Sequence, residues 1–96
     1  YQIPLKDIMY ITHDSVDRKS IVITDYTVFR INRSLSEIFE QLGPEFKYSH
    51  RACIVNMERV IKLDMKNKLI VFDNGKTLDL ISNNHKKELR EYVSNY

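Results

Sequence analysis

The stretch Phe46-Lys47-Tyr48-Ser49-His50-Arg51-Ala52-Cys53-Ile54-Val55-Asn56 indicates the fold most clearly. It holds two short runs that look like strands, with His50 and Arg51 between them. Further along the chain, Asn74-Gly75 is a strong hairpin signal, because a type I′ turn needs positive φ at both central residues and this pair adopts it at little cost. We therefore predict a rigid β scaffold that presents a basic tip.

Segments on both sides of this stretch extend the β pattern. Residues 1–5 already look like a strand, and the polar run from His13 to Lys19 is predicted to be an exposed loop or hairpin tip. Runs rich in β-branched and aromatic residues predict further antiparallel strands. These strands are predicted over residues 8–11, 20–24, 26–31, 60–63, 68–72 and 76–81.

Two helices complete the prediction. Ser34-Leu35-Ser36-Glu37 has the spacing of a capping box, and apolar residues recur at helical spacing from Leu35 to Leu42 before Gly43-Pro44 ends the pattern. This short helix depends on packing against a sheet. Polar residues 82–84 are available to cap a terminal helix from about residue 84 to 95. The predicted fold class is mostly β: an elongated antiparallel multi-sheet fold of about ten short strands, with one short internal helix and a C-terminal helix.

Size and composition favour one domain over residues 1–96. The chain has 96 residues, 43% of them hydrophobic, which is enough for one modest core. It begins at Tyr1, so we expect it to be a piece of a longer protein. It has no apolar run long enough for a membrane span and no secretion leader, and its single cysteine excludes an internal disulfide. These features favour a cytoplasmic location.

The sequence proposes no catalytic or metal site. Cys53 lies in an apolar, strand-like run and is more often a buried hydrophobe than a nucleophile. The three histidines, His13, His50 and His85, are too far apart in sequence for a local metal motif. We therefore predict no enzymatic activity and no cofactor. An enzyme that uses Cys53 and a histidine stays as a distant alternative, which predicts a thiol reactive in the folded protein.

The distribution of charge is more informative than the net charge of +2. Residues 34–45 carry a net charge of −3, whereas residues 46–68 carry +4. Three clusters combine groups that neutralise phosphates with groups that read base edges. They are Arg18-Lys19 at the end of the polar loop, His50-Arg51, and Asn83-Asn84-His85-Lys86-Lys87 at the start of the last helix.

Several short motifs follow one another along the chain: Ile3-Pro4-Leu5-Lys6-Asp7-Ile8-Met9-Tyr10-Ile11, Ser34-Leu35-Ser36-Glu37-Ile38, Phe46 with His50-Arg51 and Ile54-Val55-Asn56, Asn74-Gly75, and Ser82-Asn83-Asn84. Their order resembles that of the LytTR family of bacterial DNA-binding domains. They cover essentially the whole chain at compatible spacing. After the serine the family usually has arginine, whereas Asn83 and Asn84 stand there in this chain.

The resemblance implies sequence-specific binding of double-stranded DNA in transcription regulation. It implies the output domain of a two-component response regulator, which binds promoter direct repeats as two copies and follows an upstream receiver domain. DNA contacts are expected from Arg18, Lys19, His50, Arg51, Asn83, Asn84 and Lys86. Arg51 is the strongest candidate for base reading, while Asn56 is expected to hold backbone. The alternative is a protein-interaction module whose basic edge binds an acidic partner.

Overall fold

The computed structural model describes residues 3–94. Within them the chain forms eight strands, two α-helices and three short 3₁₀ turns. The strands are β1 (Ile8–Asp14), β2 (Lys19–Thr24), β3 (Val28–Ile31), β4 (Phe46–His50), β5 (Cys53–Asn56), β6 (Val60–Asp64), β7 (Leu69–Phe72) and β8 (Thr77–Leu78). The helices are α1 (Leu35–Phe39) and α2 (Lys86–Ser94), and the 3₁₀ turns cover Leu5–Asp7, Met57–Arg59 and Asn83–His85.

The strands form two antiparallel sheets, as predicted. The larger sheet has the order β3-β2-β1-β5-β4, and the smaller has the order β6-β7-β8. In the larger sheet β1 is central, pairing with β2 on one side and with β5 on the other. The molecule measures 33 × 24 × 22 Å along its principal axes. The mostly β, elongated fold class is therefore confirmed.

Both faces of the larger sheet are covered, which explains why all four residues of β5 are buried. Successive side chains of a strand point to opposite faces. Cys53 and Val55 accordingly pack in a core with the smaller sheet and Leu89 of α2. Ile54 packs in a second core with Leu35 of α1 and other apolar residues. Two cores thus hold the larger sheet as the middle layer.

Helix α1 begins as predicted but is shorter. The Ser34 hydroxyl accepts a hydrogen bond from the Glu37 N–H at 3.2 Å, and the Glu37 carboxylate accepts one from the Ser34 N–H at 3.3 Å. This is the reciprocal capping box. The helix ends at Phe39, and Leu42 packs against the core from the turn that follows. Packing against the sheet stabilises this short helix, as the sequence indicated.

Several predicted element bounds are wrong. Ile3 and Pro4 are not in a strand, and Leu5–Asp7 is a 3₁₀ turn in which the Asp7 N–H donates to the Pro4 carbonyl. Tyr1 and Gln2 lie outside the described residues. The fold has eight strands in the described part rather than about ten. The strand predicted over 76–81 pairs only at Thr77–Leu78, and the terminal helix begins at Lys86 after a 3₁₀ turn. Residue 95 of that helix prediction lies outside the described residues.

The β7–β8 hairpin turns where the sequence predicted, but its turn type differs from the prediction. Gly75 has a φ of 85°, but Asn74 has no positive φ, so the turn is not type I′. The Gly75 N–H donates to the Phe72 carbonyl, and the Phe72 N–H donates to the Lys76 carbonyl, both at 2.9 Å. This is a three-residue loop with a left-handed residue at its end. The Asn74 amide instead donates to Asp25 at 2.7 Å, a tertiary contact that the local pattern does not reveal.

We expect Gly75→Ala to lower the free energy of unfolding by about 1 kcal/mol, because a Cβ is disfavoured at positive φ. A Cβ built at Gly75 meets no heavy atom within 4 Å, so the loss comes from backbone strain and not from a steric clash. Gly75→Asn should cost less, since asparagine tolerates the left-handed region. Urea denaturation of the three proteins measures both changes. Equal stability of Gly75→Ala and the parent protein would contradict the assignment of strain.

Neither helix in residues 3–94 has the length and apolar character needed to span a bilayer.

Candidate nucleic-acid interface

The β1–β2 hairpin carries the first predicted basic cluster at its tip. The Asp14 carboxylate accepts hydrogen bonds from the Val16 N–H at 2.9 Å and the Asp17 N–H at 3.4 Å, which closes the loop. Arg18 is exposed and adopts a left-handed conformation with φ of 55°. Lys19 is the first residue of β2 and pairs with Asp14. Arg18 is therefore the more accessible of the two cations.

Acidic neighbours offset the charge of this hairpin. Asp14 binds Arg30 of β3 at 3.0 Å, and Asp17 lies 4.0 Å from the same guanidinium. The pKa of Asp14 is lowered, chiefly by the backbone N–H groups of Val16 and Asp17 and then by Arg30. Asp14 is therefore ionised at neutral pH, and the hairpin tip is close to neutral despite Arg18 and Lys19.

The β4–β5 turn presents the second cluster. His50 pairs with Cys53, and its ring Nδ1 accepts a hydrogen bond from the Ala52 N–H at 3.1 Å. This contact places the ring proton on Nε2, which remains a donor for an outside group. Arg51 is exposed and forms no ion pair or side-chain hydrogen bond with any residue in the range 3–94. His50 thus shapes the turn, and Arg51 is held at its apex with a free guanidinium.

Backbone hydrogen bonds bring the three clusters to one end of the larger sheet. The His13 N–H donates to the Ala52 carbonyl at 3.2 Å, which joins the end of β1 to the β4–β5 turn. The Ser82 N–H donates to the Ser49 carbonyl at 2.8 Å, which places the start of the third cluster beside β4. Residues that are far apart in sequence therefore share one surface.

The third cluster is held firmly on this surface. His85 contacts the Ser82 hydroxyl through Nδ1, and its ring lies 6.3 Å from that of Tyr48 on β4. Glu88 of α2 lies 3.5 Å from the Lys47 ammonium group of β4. Asn83 and Asn84 remain exposed, and Lys86, partly exposed, is the first residue of α2. The amino end of α2, where the helix dipole is positive, therefore also lies at this end of the sheet.

The sequence pattern of the LytTr DNA-binding domain matches residues 1–94. The chain belongs to the LytTR family. A solved structure, titled the LytTr DNA-binding domain of a putative methyl-accepting/DNA response regulator from Bacillus cereus, superposes with a TM-score of 0.71 at 23% sequence identity. The superposition covers 97% of this chain and 83% of the other, and it establishes the same fold. No curated protein matches the chain.

Two residues of this LytTR domain share the surface but were not singled out as DNA contacts by the sequence analysis. His13 is exposed next to Ala52 and had been considered only as a metal ligand. Val16 is 88% exposed at the apex of the β1–β2 loop. A single valine within a polar run is visible in the sequence, and it is unusual because valine usually lies in the protein interior.

The Asn56 side chain of this LytTR domain forms hydrogen bonds with backbone groups, as predicted. It is buried, and its amide donates to the Ile8 carbonyl at 2.9 Å while its carbonyl oxygen accepts from the Glu58 N–H at 3.1 Å. These contacts tie the start of β1 to the 3₁₀ turn after β5. Asn56 therefore cannot reach a nucleic acid.

Cys53 is fully buried, and burial raises the pKa of its thiol to about 11, opposed in part by the Ser49 hydroxyl. Because the thiolate is the reactive form, we expect iodoacetamide at pH 8 to alkylate native protein more than tenfold slower than urea-unfolded protein. Mass spectrometry of quenched samples measures both rates. Fast alkylation of the folded protein would contradict the buried position and would support the alternative of an enzyme that uses Cys53 as a nucleophile.

Proposed function

We propose that this LytTR domain binds double-stranded DNA sequence-specifically, through the end of the larger sheet that carries the three clusters, and so regulates transcription. The observation that supports this most strongly is the convergence of the clusters through the His13–Ala52 and Ser82–Ser49 hydrogen bonds. Exposed loops on a rigid sheet are well suited to enter grooves, because their geometry is set before binding. Family membership supports the same conclusion.

Each cluster has a role that its chemistry supports. Arg51, with a free and exposed guanidinium, reads a guanine edge in the major groove. His50 offers its Nε2 proton, and Arg18 and Lys19 approach phosphates or bases from the first hairpin. Asn83 and Asn84 are suited to adenine but cannot neutralise a phosphate, and Lys86 at the amino end of α2 supplies that charge.

We propose that residues 1–96 form one domain of a longer cytoplasmic protein. The Bacillus cereus relative is a response regulator domain, which supports an output role behind an upstream receiver domain in a two-component system. Two copies bind direct repeats in a promoter, brought together by DNA or by the receiver, since the chain has no dimerisation heptad. The domain itself carries out no catalysis and uses no cofactor.

Selection from a randomised duplex library at near-physiological salt tests the function. We expect a recurrent sequence motif, repeated at a spacing close to a whole number of helical turns. Retention without sequence preference, lost as salt rises, would contradict sequence-specific binding and favour a basic edge for an acidic protein partner.

A further inference from the structure

The β6–β7 hairpin repeats the construction of the β1–β2 hairpin. Asp64 ends β6 as Asp14 ends β1, and its carboxylate accepts hydrogen bonds from the Asn67 N–H at 3.1 Å and the Asn67 amide at 2.9 Å. Lys68 has a φ of 54°, close to the 55° of Arg18. These are the only two non-glycine residues with positive φ in the described range 3–94. Each hairpin thus presents a basic residue in a left-handed position, where asparagine or glycine is the usual choice.

Sheet topology places this second hairpin tip at the DNA-binding end of the molecule. Ile70 of β7 pairs with Leu78 of β8 in antiparallel register. The chain before Ile70, which includes the tip, therefore leaves the smaller sheet at the same end as the chain after Leu78. That later segment leads directly to Ser82, which is bonded to Ser49. The opposite end of the smaller sheet is marked by Asn74, which contacts Asp25.

The second tip is the more cationic of the two hairpins. Residues 62–68 contain three lysines and one aspartate, whereas residues 14–19 contain two acids and two bases. Lys66 and Lys68 are exposed, and neither forms an ion pair with another residue in the range 3–94. Partly buried Leu63 and Met65 pack against the core and anchor the tip. The tip therefore holds two unneutralised ammonium groups on an ordered loop.

We propose that Lys66 and Lys68 form a fourth DNA contact, which binds phosphates beside the segment Asn83–Lys86. This inference rests on the proposed function. Phosphate contacts position a protein on the duplex without reading its sequence. The fourth contact supplies the backbone charge that Asn83 and Asn84 lack, so that the amides are free to face base edges. The ligand is the sugar-phosphate backbone of the same duplex that Arg51 reads.

The test compares Lys66→Gln and Lys68→Gln with Lys6→Gln as the matched control. Lys6 is an exposed lysine whose carbonyl accepts from Arg59 at the opposite end of the molecule. Each protein is titrated with the selected duplex and with a scrambled duplex of the same length over a series of salt concentrations. We expect each of the two variants to weaken binding to both duplexes by a similar factor. Each should also reduce the slope of log K against log salt by about 1.

Three results would overturn the fourth contact. They are salt slopes equal to that of the parent protein, losses confined to the selected duplex, and an equal loss in Lys6→Gln. Thermal unfolding of each variant shows whether the hairpin still folds, and glutamine keeps the long unbranched side chain at the left-handed position. A parent protein that binds neither duplex would instead refute the proposed function, so the two failures are distinguishable.

Discussion

Arg51→Ala is expected to weaken binding to the selected duplex by about 1–3 kcal/mol, roughly 5- to 150-fold in Kd, and to affect a scrambled duplex much less. The reason is that Arg51 stands at the apex of the β4–β5 turn, exposed and without an intramolecular partner in residues 3–94. Its removal therefore costs the fold little and takes away a bidentate base contact. Fluorescence anisotropy with both duplexes at one salt concentration measures the two losses.

Arg51→Lys distinguishes base reading from simple charge. A lysine keeps the positive charge but loses the planar fork that matches a guanine edge. We expect Arg51→Lys to lose most of the preference for the selected duplex while keeping its affinity for the scrambled one. Arg90→Ala, which removes an exposed arginine from α2, serves as the control for a lost surface charge. If Arg51→Ala weakens both duplexes equally, Arg51 is a phosphate contact and not the base reader.

Arg59→Ala is expected to lower the free energy of unfolding by about 2 kcal/mol, because it removes several charged hydrogen bonds made by one mostly buried guanidinium. The Arg59 side chain is 14% exposed. It lies 2.7 Å from Asp73 in the β7–β8 turn and 2.7 Å from Asp25 after β2. It also donates to the Lys6 carbonyl at 3.1 Å. One guanidinium thus joins the two sheets and the first 3₁₀ turn, and chemical denaturation at pH 7 measures its contribution.

Two control variants distinguish the loss of the Arg59 hydrogen bonds from the loss of a positive charge. Arg59→Lys should recover only part of the stability, since an ammonium group cannot reach all of these acceptors together. Arg90→Ala should change the free energy of unfolding by less than about 0.5 kcal/mol. Arg59 lies at the end of the sheet opposite to Arg51, so folded Arg59→Ala protein should bind the selected duplex normally. A stability within about 0.5 kcal/mol of the parent protein would refute the linking role.

The hydrogen bond between Arg59 and Asp25 predicts that the free energy of unfolding depends on pH. The pKa of Asp25 is lowered, chiefly by its hydrogen bond with Arg59 and then by that with Asn74. A carboxyl group with a lowered pKa in the folded state stabilises the fold above its unfolded pKa of about 3.9, and this stabilisation is lost as the pH falls through the folded value. The stability difference between the parent protein and Arg59→Ala should therefore shrink on acidification below about pH 4. A difference that stays constant with pH would contradict the coupling of Asp25 to Arg59.

Local pattern was a good guide where the local signal agreed with the tertiary environment. The capping box at Ser34 and the strand-like runs around His50-Arg51 are set by neighbours in sequence, and both were predicted correctly. The prediction for Asn74-Gly75 had the right place but the wrong turn type. There only Gly75 has a positive φ, and the Asn74 amide binds Asp25, 49 residues away, a contact that neighbours in sequence do not reveal.

The candidate surface likewise has features that depend on near neighbours in sequence and features that depend on long-range contacts. Sequence alone determined that the chain has mostly β structure, two helices of which the first has a capping box, a buried cysteine and three polar-basic clusters, because these depend on residue type and near neighbours. Only the tertiary structure decided that the clusters share one end of the larger sheet, that Arg59 joins the two sheets, and that the Lys66–Lys68 tip lies on the side of Ser82. These features depend on strand pairing and on hydrogen bonds between distant residues. Such long-range pairings carry no local signal, since their free energy is gained only when the whole chain has folded.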